Sequence, residues 1–224
     1  IIGAGIAGSS VAYHLTRLGW TDIFVVDQGP LPKTGGSTSH APGLVFQVNF
    51  SRMMSVFAKE TTELYNSLNL DDDTLWFDVC GLEIAWTPER LQDLKRKVGA
   101  GKAWGIETEL LGPDETRALV PMLSERIYGA MHTKHDGFGR PWRLAGRMME
   151  EAQKAGASFH GEITVKGIGT SKSRVRSVAT TEGEIETEHV VCAAGIWGSL
   201  VAGRAGVTLP LAALRHQYAE TVPL

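Results

Sequence analysis

The residues of this chain best equipped for chemistry lie in Gly35-Gly36-Ser37-Thr38-Ser39-His40-Ala41-Pro42-Gly43-Leu44. Three hydroxyl side chains and an imidazole sit there in a stretch that glycine allows to turn tightly. Just upstream stands Gly3-Ala4-Gly5-Ile6-Ala7-Gly8, the G-x-G-x-x-G spacing. Such glycines permit a tight turn, close approach of a pyrophosphate and close packing of the following helix. One glycine-rich loop implies a nucleotide. Two in tandem, the second holding a histidine, imply a flavin dinucleotide.

The elements around the first loop suit that role. Val11, Leu15 and Leu18 fall on one helical face, Gly19 supplies a stop, and Ile23-Phe24-Val25-Val26 reads as a buried parallel strand. Asp27 closes that strand, 19 residues beyond Gly8. That is near the offset of roughly 20 at which an acidic side chain accepts hydrogen bonds from ribose hydroxyls. A helix opening on the loop adds free amides and a favourable dipole for an anion.

Of the 224 residues, 43% are hydrophobic and the net charge is −3, which favours neither nucleic acid nor an anionic membrane surface as partner. The longest apolar stretch, Val190 to Val201, is interrupted by glycine and serine and falls short of the roughly 20 residues of a membrane span. It reads as a buried strand and turn. Cys80 and Cys192 are too few and too far apart for a zinc site or a disulfide framework, and are expected to be buried thiols. Only Ile1 and Ile2 precede the first glycine, and Val222-Pro223-Leu224 ends just after an alternating stretch, so a fragment truncated at both ends is expected. Localisation is left open between cytoplasm and mitochondrial matrix.

Downstream, Met53, Phe57, Leu64 and Leu68 share a helical face, and Asp71-Asp72-Asp73 reads as a solvated break. Phe77 to Trp86 reads as a strand interrupted by glycine, and Pro88-Glu89-Arg90 opens a helix through about Val98. A short helix follows Gly112, and Arg143 to Ala155 is helical up to Gly156. Ser158 to Ile168 and Val175 to Thr180 read as strands, followed by a turn at Glu182-Gly183 and an apolar strand from His189 to Gly195.

The second loop, together with Val190-Val191-Cys192-Ala193-Ala194-Gly195-Ile196-Trp197 and Arg215-His216-Gln217-Tyr218, resembles the dimethylglycine oxidase and sarcosine/dimethylglycine dehydrogenase group. That group belongs to the D-amino-acid-oxidase-like FAD-dependent oxidoreductases. The resemblance covers essentially the whole chain, including Gly81-Leu82-Glu83-Ile84-Ala85 and Asp136-Gly137, and is specific at the second loop. It implies an α/β fold: a Rossmann-like FAD-binding domain of the two-dinucleotide-binding type, interleaved with a mixed-sheet α+β substrate domain. The segments are expected at 1–72 and 136–208 for FAD, and at 73–135 and 209–224 for substrate.

By the same resemblance, Gly3, Gly5, Ile6, Ala7 and Gly8 cradle the FAD pyrophosphate, and Asp27 and Gln28 hold the adenosine ribose. Ser37, Thr38, Ser39 and His40 run beside the flavin with Leu44 against it, and His40 is the expected point of covalent attachment. Val165 meets adenine through its backbone, and Gly195 and Trp197 form the return loop. His216 faces the substrate, where an imidazole could orient an amine or take up its proton.

The implied reaction is hydride transfer from the carbon beside the nitrogen of an N-methylated glycine to FAD, leaving an iminium. The implied partners are that amine and a folate-binding domain further along the full-length chain. Three other readings stand beside it. A nicotinamide-dependent dehydrogenase would share Gly3 to Asp27 but has no use for a Ser-Thr-Ser-His loop. Another amine or amino-acid oxidase of the superfamily, or a regulatory protein resembling the pyruvate dehydrogenase phosphatase regulatory subunit, could share the scaffold. His132, His135 and Asp136 mimic metal-ligand spacing without a further clustered ligand, so no metal is expected, while His14, His160 and His189 are assigned structural roles.

Overall fold

The computed structural model describes residues 1–49 and 51–217. In chain order the first elements are helix α1 (Ile6–Arg17), strands β1 (Phe24–Val26) and β2 (Leu44–Val45), helix α2 (Arg52–Ser67), and strands β3 (Trp76–Asp78) and β4 (Gly81–Ala85). Helix α3 (Pro88–Ala103), strand β5 (Thr108–Leu111), helix α4 (Pro113–Leu119), strands β6 (Gly129–Thr133) and β7 (Gly137–Gly139) and helix α5 (Pro141–Lys154) follow. The last are strands β8 (Ser158–His160), β9 (Val165–Ser171), β10 (Arg174–Thr180) and β11 (Gly183–Glu186) and helix α6 (Gly198–Gly203). Among the described residues no helix is long and apolar enough to cross a membrane.

The described residues divide into two compact units, one made of Ile1–Ala41 and the described residues from Ala145 on, the other lying within Pro42–Leu144. The divisions fall at 41/42 and 144/145, where the sequence suggested 72/73 and 135/136, and residues 209–217 cluster with the first unit. Helix α2 lies within the second unit because it packs against β3.

In the first unit, β1 pairs in parallel with β8, and Ile2 bridges in parallel to Val26 on one side and Cys192 on the other. Side chains alternate across this sheet with period two. Val25 joins Ala4, Ala12, Met149, Ala152 and Phe159 in one core. Val26, one residue on, joins Ile2, Val165, Val178 and Val201 in another. The second core is closed by the antiparallel meander β11-β10-β9.

Helix α1 buries Gly8, Ser9, Ala12 and Tyr13. The apolar face expected through Leu18 is displaced, and Leu18 is 76% exposed. Small residues at Gly8, Ser9 and Ala12 let the helix approach the sheet closely, which larger side chains would prevent. Gly19, with φ of +90°, ends the helix as expected. The segment from His189 to Gly195 is not a buried strand: Val191 and Cys192 are exposed, and pairing is confined to the bridge with Ile2. Its backbone bonds there are Ile2 N–H to Val191 O and Ala193 N–H to Ile2 O, both 2.8 Å.

The second unit holds two three-stranded antiparallel sheets, β2-β7-β3 and β4-β6-β5. Helix α3 starts on a Thr87 cap with Pro88 behind it and runs to Ala103, past the expected end at Val98. Leu94 and Val98 carry it onto Ala85 and Met131 of the second sheet, with Val48 and Ile106 completing the core. Helix α2 departs from expectation in part: Met53 and Phe57 are exposed while Ser55 and Thr62 are buried, although Leu64 is half-buried and Leu68, at the C-terminal end, is buried as expected. The reason is polar, since Ser55 Oγ accepts from Asn49 N–H and Thr62 Oγ1 accepts from Gln47 Nε2. Asp73 is no mere solvated residue either, because it is ion-paired with Arg143. Cys80 is half-buried at a positive φ of 68°, and Cys192 is exposed, so neither is the buried thiol expected.

Candidate functional site

A cavity of about 430 Å³ opens in the first unit. The first glycine-rich loop forms one wall, and its three glycines do three different things. Gly3 turns with φ of +106°, and a Cβ there would overlap the Ala193 carbonyl. A Cβ on Gly8 would overlap the Gly3 carbonyl, so the third glycine permits loop and helix to close on each other. Gly5 faces the cavity, where a Cβ would meet only the Thr38 side chain, at 3.0 Å from Oγ1. The bare backbone at Gly5 is thus the place a ligand can approach.

Helix α1 begins there with no side-chain cap on Gly5. Amides of a first helical turn have no intrahelical acceptor and carry the positive end of the helix dipole. Thr38 Oγ1 accepts the Ile6 N–H at 3.0 Å, so the second glycine-rich loop is bonded to the first. Ile6, Ala7 and Gly5 line the cavity beside Ser37 and Thr38. Exposed amides at a helix start beside two hydroxyls fit the pyrophosphate of a dinucleotide.

Asp27 and Gln28 also line the cavity. The Asp27 carboxylate accepts Ala4 N–H at 2.7 Å on Oδ2 and Gly29 N–H at 2.8 Å on Oδ1. Each oxygen keeps a second lone pair, so the group is oriented yet still able to accept from ribose hydroxyls. Val165, at the start of β9, is 6% exposed and lines the far wall, with Gly195 (φ of +53°) and Trp197 from the return loop. A Cβ on Gly36 would come within 3.7 Å of the Trp197 ring, so the return loop reaches the second glycine loop.

Five of the expected site residues do not line this cavity: Gly8, which instead packs against the Gly3 carbonyl, and Ser39, His40, Leu44 and His216. Ser39 Oγ accepts Gly35 N–H at 2.9 Å and so shapes its own loop. His40 is exposed at the end of the 3-10 turn Ser37–Ser39, two residues past the cavity-lining Thr38. Leu44 is exposed on β2 in the other unit. His216 is exposed in irregular chain, not in the strand expected, while Tyr218 and the rest of that alternating stretch lie outside the described residues.

Other cavity residues gave no signal of their own in the sequence. Thr34, Ile163 and Arg204 line it without belonging to any motif read from the sequence. The paired histidines are held by acids: His132 Nδ1 lies 3.1 Å from Glu109 Oε1, and His135 Nδ1 lies 2.9 Å from Asp78 Oδ2.

A family model for FAD dependent oxidoreductases, DAO, matches residues 1–224. The chain belongs to this family. Within the DAO family it is similar to human mitochondrial sarcosine dehydrogenase, with 33% identity across 99% of this chain and 25% of that protein. It is also similar to the mouse mitochondrial pyruvate dehydrogenase phosphatase regulatory subunit, with 30% identity across 100% of this chain and 26% of that protein. The chain thus spans about a quarter of the length of these curated relatives. Among solved structures, L-proline dehydrogenase from P. horikoshii has the same fold. The TM-score is 0.85 at 24% identity, over 92% of this chain and 55% of the other. The DAO fold, an FAD-binding part with a substrate part, accounts for both the parallel sheet with its meander and the two antiparallel sheets.

Proposed function

We propose that this chain carries the FAD site of an oxidoreductase that oxidises the C–N bond of an N-methylated glycine, sarcosine or dimethylglycine. The observation that carries the reading is the convergence of five separate sequence segments on one cavity: the first loop, Asp27-Gln28, Ser37-Thr38, the start of β9 at Val165, and the return segment at Gly195 and Trp197. The similarity to sarcosine dehydrogenase supplies the substrate class.

In this reading the open amides of α1 and the Gly5 backbone hold the pyrophosphate, Asp27 accepts from the ribose, and Val165 meets adenine. His40 is the covalent anchor, bonded through an imidazole nitrogen. Bound FAD would supply a two-electron acceptor for a hydride from the carbon beside the amine nitrogen. The residues of the chain then have to present the amine neutral and correctly aimed. His216 is assigned to that task, as acceptor of the ammonium proton. The iminium left behind adds water and releases formaldehyde with the demethylated amine.

Full-length protein given sarcosine and an artificial electron acceptor is expected to release formaldehyde. His216→Ala should slow turnover about a hundredfold while retaining FAD. Absence of formaldehyde would reject the substrate, and unchanged turnover would remove His216 from the chemistry. The similarity to the phosphatase regulatory subunit supports a second reading, in which the scaffold binds a dinucleotide without turnover.

A further inference from the structure

We propose that Arg204 positions and recognises the adenosine half of the dinucleotide, an inference that rests on the cavity being the FAD site. Arg204 closes helix α6 and lines the same cavity as Val165. Its Nη1 donates to the Val165 carbonyl, joining two segments 39 positions apart in the chain. Helix α6 is itself anchored by buried Val201 and Ala202, so the guanidinium projects from a fixed base.

Val165 opens β9 and pairs with Thr180 at the end of β10, where the register shifts between Ala179 and Thr180. A register shift leaves the local ladder irregular. Thr164, one residue earlier, is bonded to Thr181 through both its N–H and its carbonyl, and the bond from Arg204 adds a further constraint at the Val165 carbonyl itself.

The chemistry of the pair suits a purine with an exocyclic amino group. A carbonyl oxygen has two lone pairs, so the bond from Arg204 leaves one for an amino N–H. A guanidinium is planar and carries five donors, which leaves it free to lie against an aromatic ring while holding the carbonyl. Arg204 therefore discriminates FAD from a flavin that lacks adenosine.

The test uses full-length protein carrying His40→Ala, so that flavin binding stays reversible, produced in riboflavin-starved cells, titrated separately with FAD and FMN and followed by quenching of flavin fluorescence. Arg204→Ala is expected to weaken FAD binding by about tenfold or more, as loss of a charged hydrogen bond implies. FMN binding should be unchanged. Arg204→Lys keeps the charge without the planar fork and should lie between parent and alanine variant. An equal loss for FAD and FMN would overturn the inference by showing a general structural role, and an unaltered FAD affinity would overturn it outright. If Arg204→Ala melts early without flavin, Arg204→Lys carries the same FAD-to-FMN comparison. Failure of the parent protein to take up FAD would overturn the cofactor reading itself, and this inference with it.

Discussion

Thr38 and Asp27 show how single side chains organise the candidate site. Each bonds to the backbone of the first glycine loop, Thr38 to Ile6 and Asp27 to Ala4, and each also lines the cavity. The loop is therefore fixed before any ligand arrives, which lowers the ordering entropy that binding must overcome. His40 lies two residues beyond Thr38, exposed and at the end of a short turn. An accessible imidazole on a loop held at Thr38 is what a covalent tether requires. Acid denaturation of the full-length protein is expected to leave the yellow colour in the protein pellet. His40→Ala should move it to the supernatant, and colour found wholly in the parent's supernatant would contradict attachment. At this scale the sequence was most legible where a residue type is dictated by backbone geometry, as at Gly3, Gly5 and Gly8. It was least legible at Arg204, whose partner lies on a distant strand.

Among the elements, β7 and its approach carry an unusual burden. Asp136, immediately before β7, is 4% exposed, and its Oδ1 accepts the Gln47 N–H at 2.8 Å. Burial pushes its carboxyl up to about 6, against the opposing effects of the Gln47 bond and the Lys97 charge. Gly81 on β4 makes room for the group, since a Cβ there would crowd the carboxylate. A carboxyl raised in the folded state favours folding when protonated, and that contribution is lost as pH rises through about 6. A shift of this size is worth about 3 kcal/mol. Asp136→Asn keeps an acceptor for Gln47 and should raise the denaturant midpoint more at about pH 7.5 than at about pH 4.5. Equal midpoint changes at both pH values would contradict the assignment.

The same scale explains why the buried face of α2 was misread at Met53 and Phe57. Helical spacing of Met53, Phe57, Leu64 and Leu68 located the helix correctly, but spacing cannot tell which face hydrogen-bonds to a neighbouring strand approach. Ser55 and Thr62 win burial because Gln47 and Asn49 offer them polar partners. The return segment from His189 to Gly195 was misjudged for a related reason. Apolar composition signals burial, whereas pairing depends on a neighbour that only the folded sheet reveals.

For the whole molecule, motif order suggests a dinucleotide-binding part around an inserted part, and compactness divides the chain at 41/42 and 144/145. The relatives are about four times longer than this chain, so the complete protein is the right object for any test of activity. Dimethylglycine or sarcosine is mixed anaerobically with that protein while the visible flavin spectrum is recorded. The yellow absorbance is expected to bleach in a single turnover with either N-methylated glycine. A bound flavin that stays fully oxidised with both would contradict the proposed function, and would favour the regulatory reading of this scaffold.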